Sequence, residues 1–455
     1  MLNLPSENRG MKLNFNYKWI AILIPLFFGM IFPQSVLTLE EAISISLKEN
    51  YSIRIAEYNY RVTENNATPG VAGLYPQLTF SGSSSRSESD LSNLPRDSTS
   101  YIDMNNSSSS SMNSSLGISS VLFSGGRNYY TWEKLKKARD VGEVQKQLAT
   151  ENTMVTVIRA YYQITSLRDN LEIAREASEI SKQRLARIKH KVDLGSAIKL
   201  DQLNSEVDMN TDSVSVLKAL LQLENAKRNL NFILARSINT DFTVTGSVEY
   251  FPQKDLGDWK VSASDQNTTV KESRLQLEQS EYDVKTAKAA YFPVLTGSAS
   301  YNKSHSESDG GQYKQNESEG ISTGLNLSVD LFSGFRKNTN LQNANIGVKS
   351  KKEVLDRTIA LLETEIMNAY ATYRNARFTV EVEEKNLETA KLNFDRTQEL
   401  FQLGQVTTTQ FREAQLNWIR AELRLINEKY TAKFAEVELY RLSGTLPDLY
   451  PGNKN

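Results

Sequence analysis

At 455 residues the chain could hold two or three ordinary domains, yet only 39% of it is apolar, which suits thin layers wetted on one side rather than thick cores. A net charge of −1 without a basic stripe argues against a nucleic-acid partner. The absence of cysteine excludes disulfides, thiolate-bound metal, thiol catalysis and a lipidated N-terminal cysteine.

Residues 1–35 read as an export signal. Lys12 and Lys18 precede an apolar run at 19–32, broken by Pro25 and Gly29, and Ser35 is the small residue expected before the cut. Fourteen residues are short for a bilayer span, and no later stretch approaches eighteen apolar residues. The exported chain is therefore expected to carry no membrane helix.

The remainder of the chain is written twice. Leu122-Phe123-Ser124-Gly125-Gly126-Arg127 returns 209 residues later as Leu331-Phe332-Ser333-Gly334-Phe335-Arg336, and at that offset Ala160-Tyr161 meets Ala369-Tyr370. Upstream the offset is 217, matching Tyr75-Pro76-Gln77-Leu78-Thr79 to Phe292-Pro293-Val294-Leu295-Thr296 and Asn50 to Asn267. Such a duplication means two copies of one structural unit. The first is expected over 36–236, with a β-hairpin at about 77–123 and a helical hairpin at 128–236. A linker at 237–265 comes next, carrying Thr243-Val244-Thr245 as a short strand. The second copy is expected over 266–446, with its β-hairpin at about 294–332 and its helical hairpin at 337–442, before a tail at 447–455.

The strand signal is a period of two. Leu295, Gly297, Ala299 and Tyr301 alternate with Thr296, Ser298, Ser300 and Asn302, and 321–331 does likewise. In the first copy Met112, Leu116, Ile118 and Leu122 carry the apolar face, and Leu78 and Phe80 a weaker one. Segments 87–111 and 303–319 read as long polar loops. Strands of about ten residues, apolar on one face and hydroxylic on the other, fit a bilayer-spanning barrel with a wet lumen or a half-buried soluble sheet.

Each strand pair leads into a proline-free helix, 128–194 or 337–403, 67 residues and about 100 Å long. Heptad spacing predicts coiled-coil seams at Leu171, Ala174, Ser178, Ser181, Leu185, Ile188 and Val192, and at Leu387, Ala390, Phe394, Thr397 and Phe401. On the returning helices the same spacing picks out Leu200, Leu203, Val207, Val214, Leu217 and Leu221, and Leu416, Ile419, Leu423, Ile426 and Tyr430. The return helix 198–236 and the next helix, 266–291, together match the long helix, predicting that they stack end to end. Four strands cannot close a barrel, and open edges in lipid are prohibitive, so several chains must share one. Two or three copies would satisfy that requirement.

These motifs, in this order and repeated in register, resemble the TolC-type outer membrane efflux proteins over about Leu37 to Leu446. The carriers are Thr38-Leu39-Glu40-Glu41-Ala42, the Tyr/Phe-x-Pro-x-Leu strand entries, the Leu-Phe-Ser-Gly exits and the Leu-Gly helix reversals. The resemblance implies a mixed all-α/β-barrel membrane protein. A homotrimer would form a twelve-stranded barrel in outer-membrane lipid, continued by a twelve-helix tube across the periplasm. Its implied partners are a periplasmic adaptor and an inner-membrane transporter, in a tripartite efflux pump or a type I secretion system.

The same resemblance makes the helix reversals the adaptor-docking tips: Leu194, Gly195, Ser196, Ala197 and Ile198 in one copy, Leu403, Gly404, Gln405, Val406 and Thr407 in the other. It also places a periplasmic gate at Asp201, Phe401, Gln410 and Glu413. Here Gln410 replaces one of two expected acids, and Phe401 and Val406 replace a tyrosine and an arginine that would bind Asp201, so any lock must differ. No phosphate-binding loop, catalytic constellation, cofactor motif or metal-ligand cluster stands out, and His190 and His305 read as solvated. The expected function is a passive exit duct opened at its tip by an adaptor. The rival is an adhesive coiled-coil surface protein without a channel.

Overall fold

The computed structural model describes residues 35–97, 99–252, 254–310 and 313–450. The export-signal reading falls on residues 1–34, outside the described residues, and the end of the expected tail, 451–455, lies outside them too. Ser35, expected before the cut, opens a short strand, β1 (Ser35–Leu37).

The first unit continues with α1 (Leu39–Glu49), α2 (Tyr51–Asn66), β2 (Gln77–Asn93), β3 (Ile102–Phe123), α3 (Arg127–Asp193) and α4 (Lys199–Ile233). After β4 (Phe242–Val244) the second unit repeats the order: α5 (Leu256–Gln266), α6 (Thr268–Ala289), β5 (Val294–Ser308), β6 (Gln315–Ser328), α7 (Arg336–Leu403) and α8 (Thr408–Leu442). A short helix, α9 (Leu446–Leu449), ends the description. The segment expected as linker thus contains a helix, α5, lying 217 residues after α1 and equal to it in length, 11 residues. Its composition is too mixed to announce it.

The strands are longer than expected. β2 and β3 run 17 and 22 residues because the Ser-rich segment keeps its alternation through the supposed loop, pairing Ser87 with Ser109 and Ser89 with Ser107. Likewise 303–319 is mostly ladder, and His305 sits on a strand opposite Glu317. The four strands form one antiparallel sheet ordered β2-β3-β5-β6, leaving β2 and β6 as free edges.

Below the sheet, α3 and α7 run the full height, 67 and 68 residues. The shorter helices pair differently from expectation. Asn50 caps α2 by accepting the Ser52 and Ile53 N–H groups, and its side-chain amide donates to the Ile233 carbonyl at the end of α4, 2.7 Å away. Asn267 does the same for α6, donating to the Leu442 carbonyl at the end of α8 (2.9 Å). So α4 abuts α2 and α8 abuts α6, each within its own unit, and α4 does not stack on α6. The duplicated asparagine is the joint: one residue satisfies orphan donors of one helix and an orphan carbonyl of another. The upper helices approach closely. A Cβ on Gly142 of α3 would lie 2.5 Å from the Thr63 hydroxyl of α2.

The largest core lies at mid-height. β1 and β4 pair in parallel there, and Phe242, Leu230, Trp259, Leu439 and Leu446 are buried around them. The Tyr161 hydroxyl reaches the carbonyls of Leu37 and Thr245 on the two strands' segments, at 3.0 and 2.6 Å. The rest of the linker is strapped to α8. The Phe251 N–H donates to Glu436 (2.8 Å), and buried Lys433 donates to the Glu249 carbonyl and to Glu436, both at 2.7 Å. Burial holds the Glu436 carboxyl above the ordinary glutamate range despite Lys433.

Candidate functional site: the helical tips and the seam above them

Both reversals are built alike. In the first, Gly195 takes φ +71°, its N–H donates to the Val192 carbonyl (2.9 Å), and the Ser196 N–H reaches back to the Lys191 carbonyl (2.8 Å). In the second, Gly404 takes φ +77°, with Gly404 N–H to Phe401 (3.2 Å) and Gln405 N–H to Leu400 (2.9 Å). This paired closure satisfies the last carbonyls of each long helix, and its left-handed residue favours glycine. Leu194, Ile198 and Leu403 stand exposed at the turns, whereas Ala197 is half-buried and Val406 packs against an aromatic cluster.

The tips differ in what starts the return helix. Thr407 caps α8 in a reciprocal box: the Gln410 N–H donates to its hydroxyl (3.2 Å), and the Thr407 N–H donates to the Gln410 side chain (2.9 Å). Gln410 therefore has a structural task at its own helix end. Ile198, the counterpart of Thr407, offers no side-chain cap.

The four expected gate residues separate into two groups. Asp201 and Glu413 come together, lining with Arg412 and Arg420 an open cleft of about 550 Å³ between α4 and α8. Phe401 turns away from it into a buried stack. Its ring lies 4.6 Å from that of Phe411, and Phe394 lies parallel to Trp418 at 5.0 Å. Lys191 from α3 sits 5.5 Å over Phe401, and Arg187 donates to the Gln402 carbonyl (2.6 Å), so the ends of α3 and α7 lie side by side.

In the wall of the cleft and the seam behind it lies a set of charges that heptad spacing does not single out. Arg412 of α8 donates two parallel bonds to Asp212 of α4, at 2.7 and 2.9 Å. The Ser181 hydroxyl of α3 donates to the same carboxylate (2.5 Å), and Arg184 of α3 donates to Asp208 of α4 (2.5 Å). Gln415 closes the set, accepting from Arg412 (3.0 Å) and donating to the Ala177 carbonyl (3.2 Å). Arg184 is 2% exposed, and two of its nitrogens have no partner among the described residues. Burial accordingly pushes its guanidinium below the ordinary arginine range, with Asp208 opposing. Burial works against the Arg412 charge as well, but its bonds to Asp212 and the attraction of that carboxylate hold it above the ordinary range. The sequence does carry a signal for this set. Asp208 and Asp212 stand four apart on one helix face, a repulsive arrangement unless a cation lies between them.

The seams also choose different stripes from those expected on the return helices. α8 buries Phe411, Ala414, Trp418, Ala421 and Leu425, one step round from the expected Leu416, Ile419, Leu423 and Ile426, while Tyr430, the last of the expected stripe, is buried as expected. α4 packs on α3 through Ser205, Asp212, Leu223 and Leu230. The expected stripe, Leu200, Leu203, Val207, Val214, Leu217 and Leu221, is 47–66% exposed. Large rings win the α8 seam because they bury more surface, and small or paired polar residues let α4 approach α3.

At the opposite end, one face of the sheet carries Leu78, Phe80, Leu116, Ile118, Leu325 and Leu327, all exposed in the single chain. Tyr75, Phe292, Phe332 and Phe335 ring its lower margin, exposed as an interfacial aromatic girdle would be. Among the described residues no helix is long and apolar enough to cross a membrane.

Comparisons with known proteins accord with this architecture. The family model described as outer membrane efflux protein matches residues 42–236 and 259–445, one stretch per repeat. The chain is 23% identical over 281 residues to protein CyaE of Bordetella pertussis, spanning 60% of this chain and 58% of that one. It is 19% identical over 357 residues to outer membrane protein TolC of Salmonella enteritidis, spanning 76% and 72%. The fold matches the Campylobacter jejuni CmeC outer membrane channel with a TM-score of 0.73 at 18% identity, covering 90% of this chain and 86% of the other. The family and these relatives are channel proteins rather than enzymes, and they do not favour the adhesin alternative. With both repeats matched in full order, the chain belongs to the outer membrane efflux protein family.

Proposed function

We propose that three copies of this chain close edge to edge into one passive exit duct, opened at its helical tip by a periplasmic adaptor that couples it to an inner-membrane transporter. The observation that carries this reading is that one chain is unfinished on both flanks at every level. β2 and β6 offer unpaired ladder edges. On one flank α2 exposes Tyr51, Ile55, Tyr58 and Val62, and α4 its apolar stripe; on the other, α7 exposes Leu361, Phe378, Val382, Leu392 and Leu403. The α2 and α4 sets follow 3-4 spacing, as seams awaiting partners do. In lipid an unpaired strand edge costs several kcal/mol per group, so the sheet must close with copies of itself. The family's outer-membrane setting supports twelve strands from three chains rather than eight from two, since eight would be filled by side chains.

The exposed tip residues Leu194, Ile198 and Leu403 then face the adaptor. Asp208, Asp212, Arg184 and Arg412 fasten α8 to the first hairpin and form the lock. Opening parts α8 from α4, exchanging buried ion pairs for adaptor contacts and water. Lacking any nucleotide-binding loop, the duct takes its energy from the transporter.

The test is the mass and conductance of the purified complex. A trimer with small, brief openings is expected in planar bilayers, and Arg412→Ala combined with Asp212→Ala should enlarge and lengthen them. A detergent-free, well-folded monomer, or a trimer silent in both forms, sinks the reading.

A further inference from the structure

As far as the register break after Ser89, the sheet segregates its charges by face. Register places odd positions 77–89 of β2 and 107–121 of β3 on one face with even positions 294–308 of β5 and 316–328 of β6. Among these described residues there is no charged side chain; they are serine, threonine, asparagine, glutamine and glycine, with Val121 and Val294 at the lower rim. Side-chain bonds confirm that they share a face: Ser85 to Ser111 at 2.8 Å, Ser115 to Asn302 at 2.8 Å, and Ser304 to Asn113 at 2.7 Å.

The charged residues of the paired register lie on the other face. Arg86 and Glu88 of β2, Lys303, His305 and Glu307 of β5, and Glu317 and Glu319 of β6 continue the lipid-facing stripe beyond Tyr301. There they pair with one another, Lys303 with Glu319 at 3.7 Å and His305 with Glu317 at 3.1 Å. Asp90 and Asp103 sit past the register break after Ser89, at the mouth. Because the apolar band must meet lipid, the uncharged face is the lumen.

We propose that the exit barrel is a charge-neutral passage that releases solutes of either sign. This rests on the reading of the sheet as one sector of a closed barrel in lipid. Field focusing by wall charges raises the local concentration of counter-ions and excludes like charges. A wall of hydroxyls and amides exerts no such bias, because each rotates to donate to an anion or accept from a cation. Of the outward charges, Arg86 pairs with Glu88 and Lys303 with Glu319, while Glu307 and Glu317 bond to His305; all stand behind the wall, where salt screens them within about 8 Å.

The cysteine-free chain permits a direct test. Ser115→Cys and Ser304→Cys, each in the full-length assembly in proteoliposomes, are exposed from outside to a cationic trimethylammonium and an anionic sulfonate methanethiosulfonate. Their rates, each divided by the rate with a free thiol, should agree within about twofold. A second substitution, Ser115→Asp in the Ser304→Cys background, should favour the cationic reagent several-fold. A several-fold preference for either reagent without that added charge overturns the proposal. Ready reaction at Leu116→Cys with none at Ser115→Cys would overturn the barrel reading itself, and so separates the two failures.

Discussion

The two helical hairpins share a turn and differ in what fastens them. The second closes mainly through rings: Phe394, Phe401, Phe411 and Trp418 stack between α7 and α8, with Ile188 of α3 completing the cluster. The first is fastened near its tip by polar residues, and its Asp212, bonded to Ser181 within the hairpin, draws its paired cation, Arg412, from α8. An aromatic seam is non-directional and survives small displacements, whereas a buried bidentate pair is strong in one geometry and leaves unpaired charge when broken. In the proposed opening, the second hairpin moves and the first holds or releases it.

The largest expected effect tests the aromatic half. Trp418→Ala should destabilise the second hairpin by about 4 kcal/mol, read as early protease cleavage near Gly404 with the first hairpin intact. If both hairpins loosen together, they are one unit and the contrast fails. Next, Arg412→Ala strands Asp212 and should cost about 3 kcal/mol in denaturant unfolding of the assembled protein. Arg412→Met with Asp212→Leu should recover most of that loss, which separates an unpaired charge from a lost contact. Capping offers a finer comparison. Thr407→Ala should cost about 1 kcal/mol at the second tip, and Ile198→Ser should gain a few tenths up to about 1 kcal/mol at the uncapped first tip. Amide exchange at the two helix starts checks both.

The smallest effect serves as a control outside both tips. Burial raises the Glu151 carboxyl above the ordinary glutamate value of 4.5, against bonds from Thr268 (2.6 Å) and Gln147 (3.0 Å). The folded chain then binds this proton more tightly than the unfolded chain, so this group's contribution improves as pH falls through the folded value. Glu151→Gln should raise Tm slightly at pH 8, and its advantage should shrink to nothing as pH drops toward 4.5. An advantage that grows in acid reverses the sign and refutes the assignment.

Much of the fold was legible because repetition multiplies weak signals. Leu-Phe-Ser-Gly and Leu-Gly say little alone, but each marks the same joint twice. The tips are legible through Gly195 and Gly404, whose left-handed conformations the local sequence demands. The site above them was only half legible. Asp201 and Glu413 meet in one cleft, but Gln410 caps its own helix, Phe401 belongs to the stack, and no spacing rule marks Arg412 beside Glu413. The strands outran their expected ends because serine alternating with serine shows no period to a hydropathy reading, though the ladder uses it fully.

By itself the sequence determined the duplication, the lengths of the long helices, the reversal points and the two-faced strands. These depend on local steric demands and on spacing along the chain. The tertiary structure decided which stripe of each return helix faces inward, which helix ends meet through Asn50 and Asn267, and which cation satisfies Asp212. A long amphipathic helix carries more than one 3-4 stripe of equal period, so periodicity cannot rank them. Ranking requires the volume and charge of the partner surface, which exist only once the chain has folded.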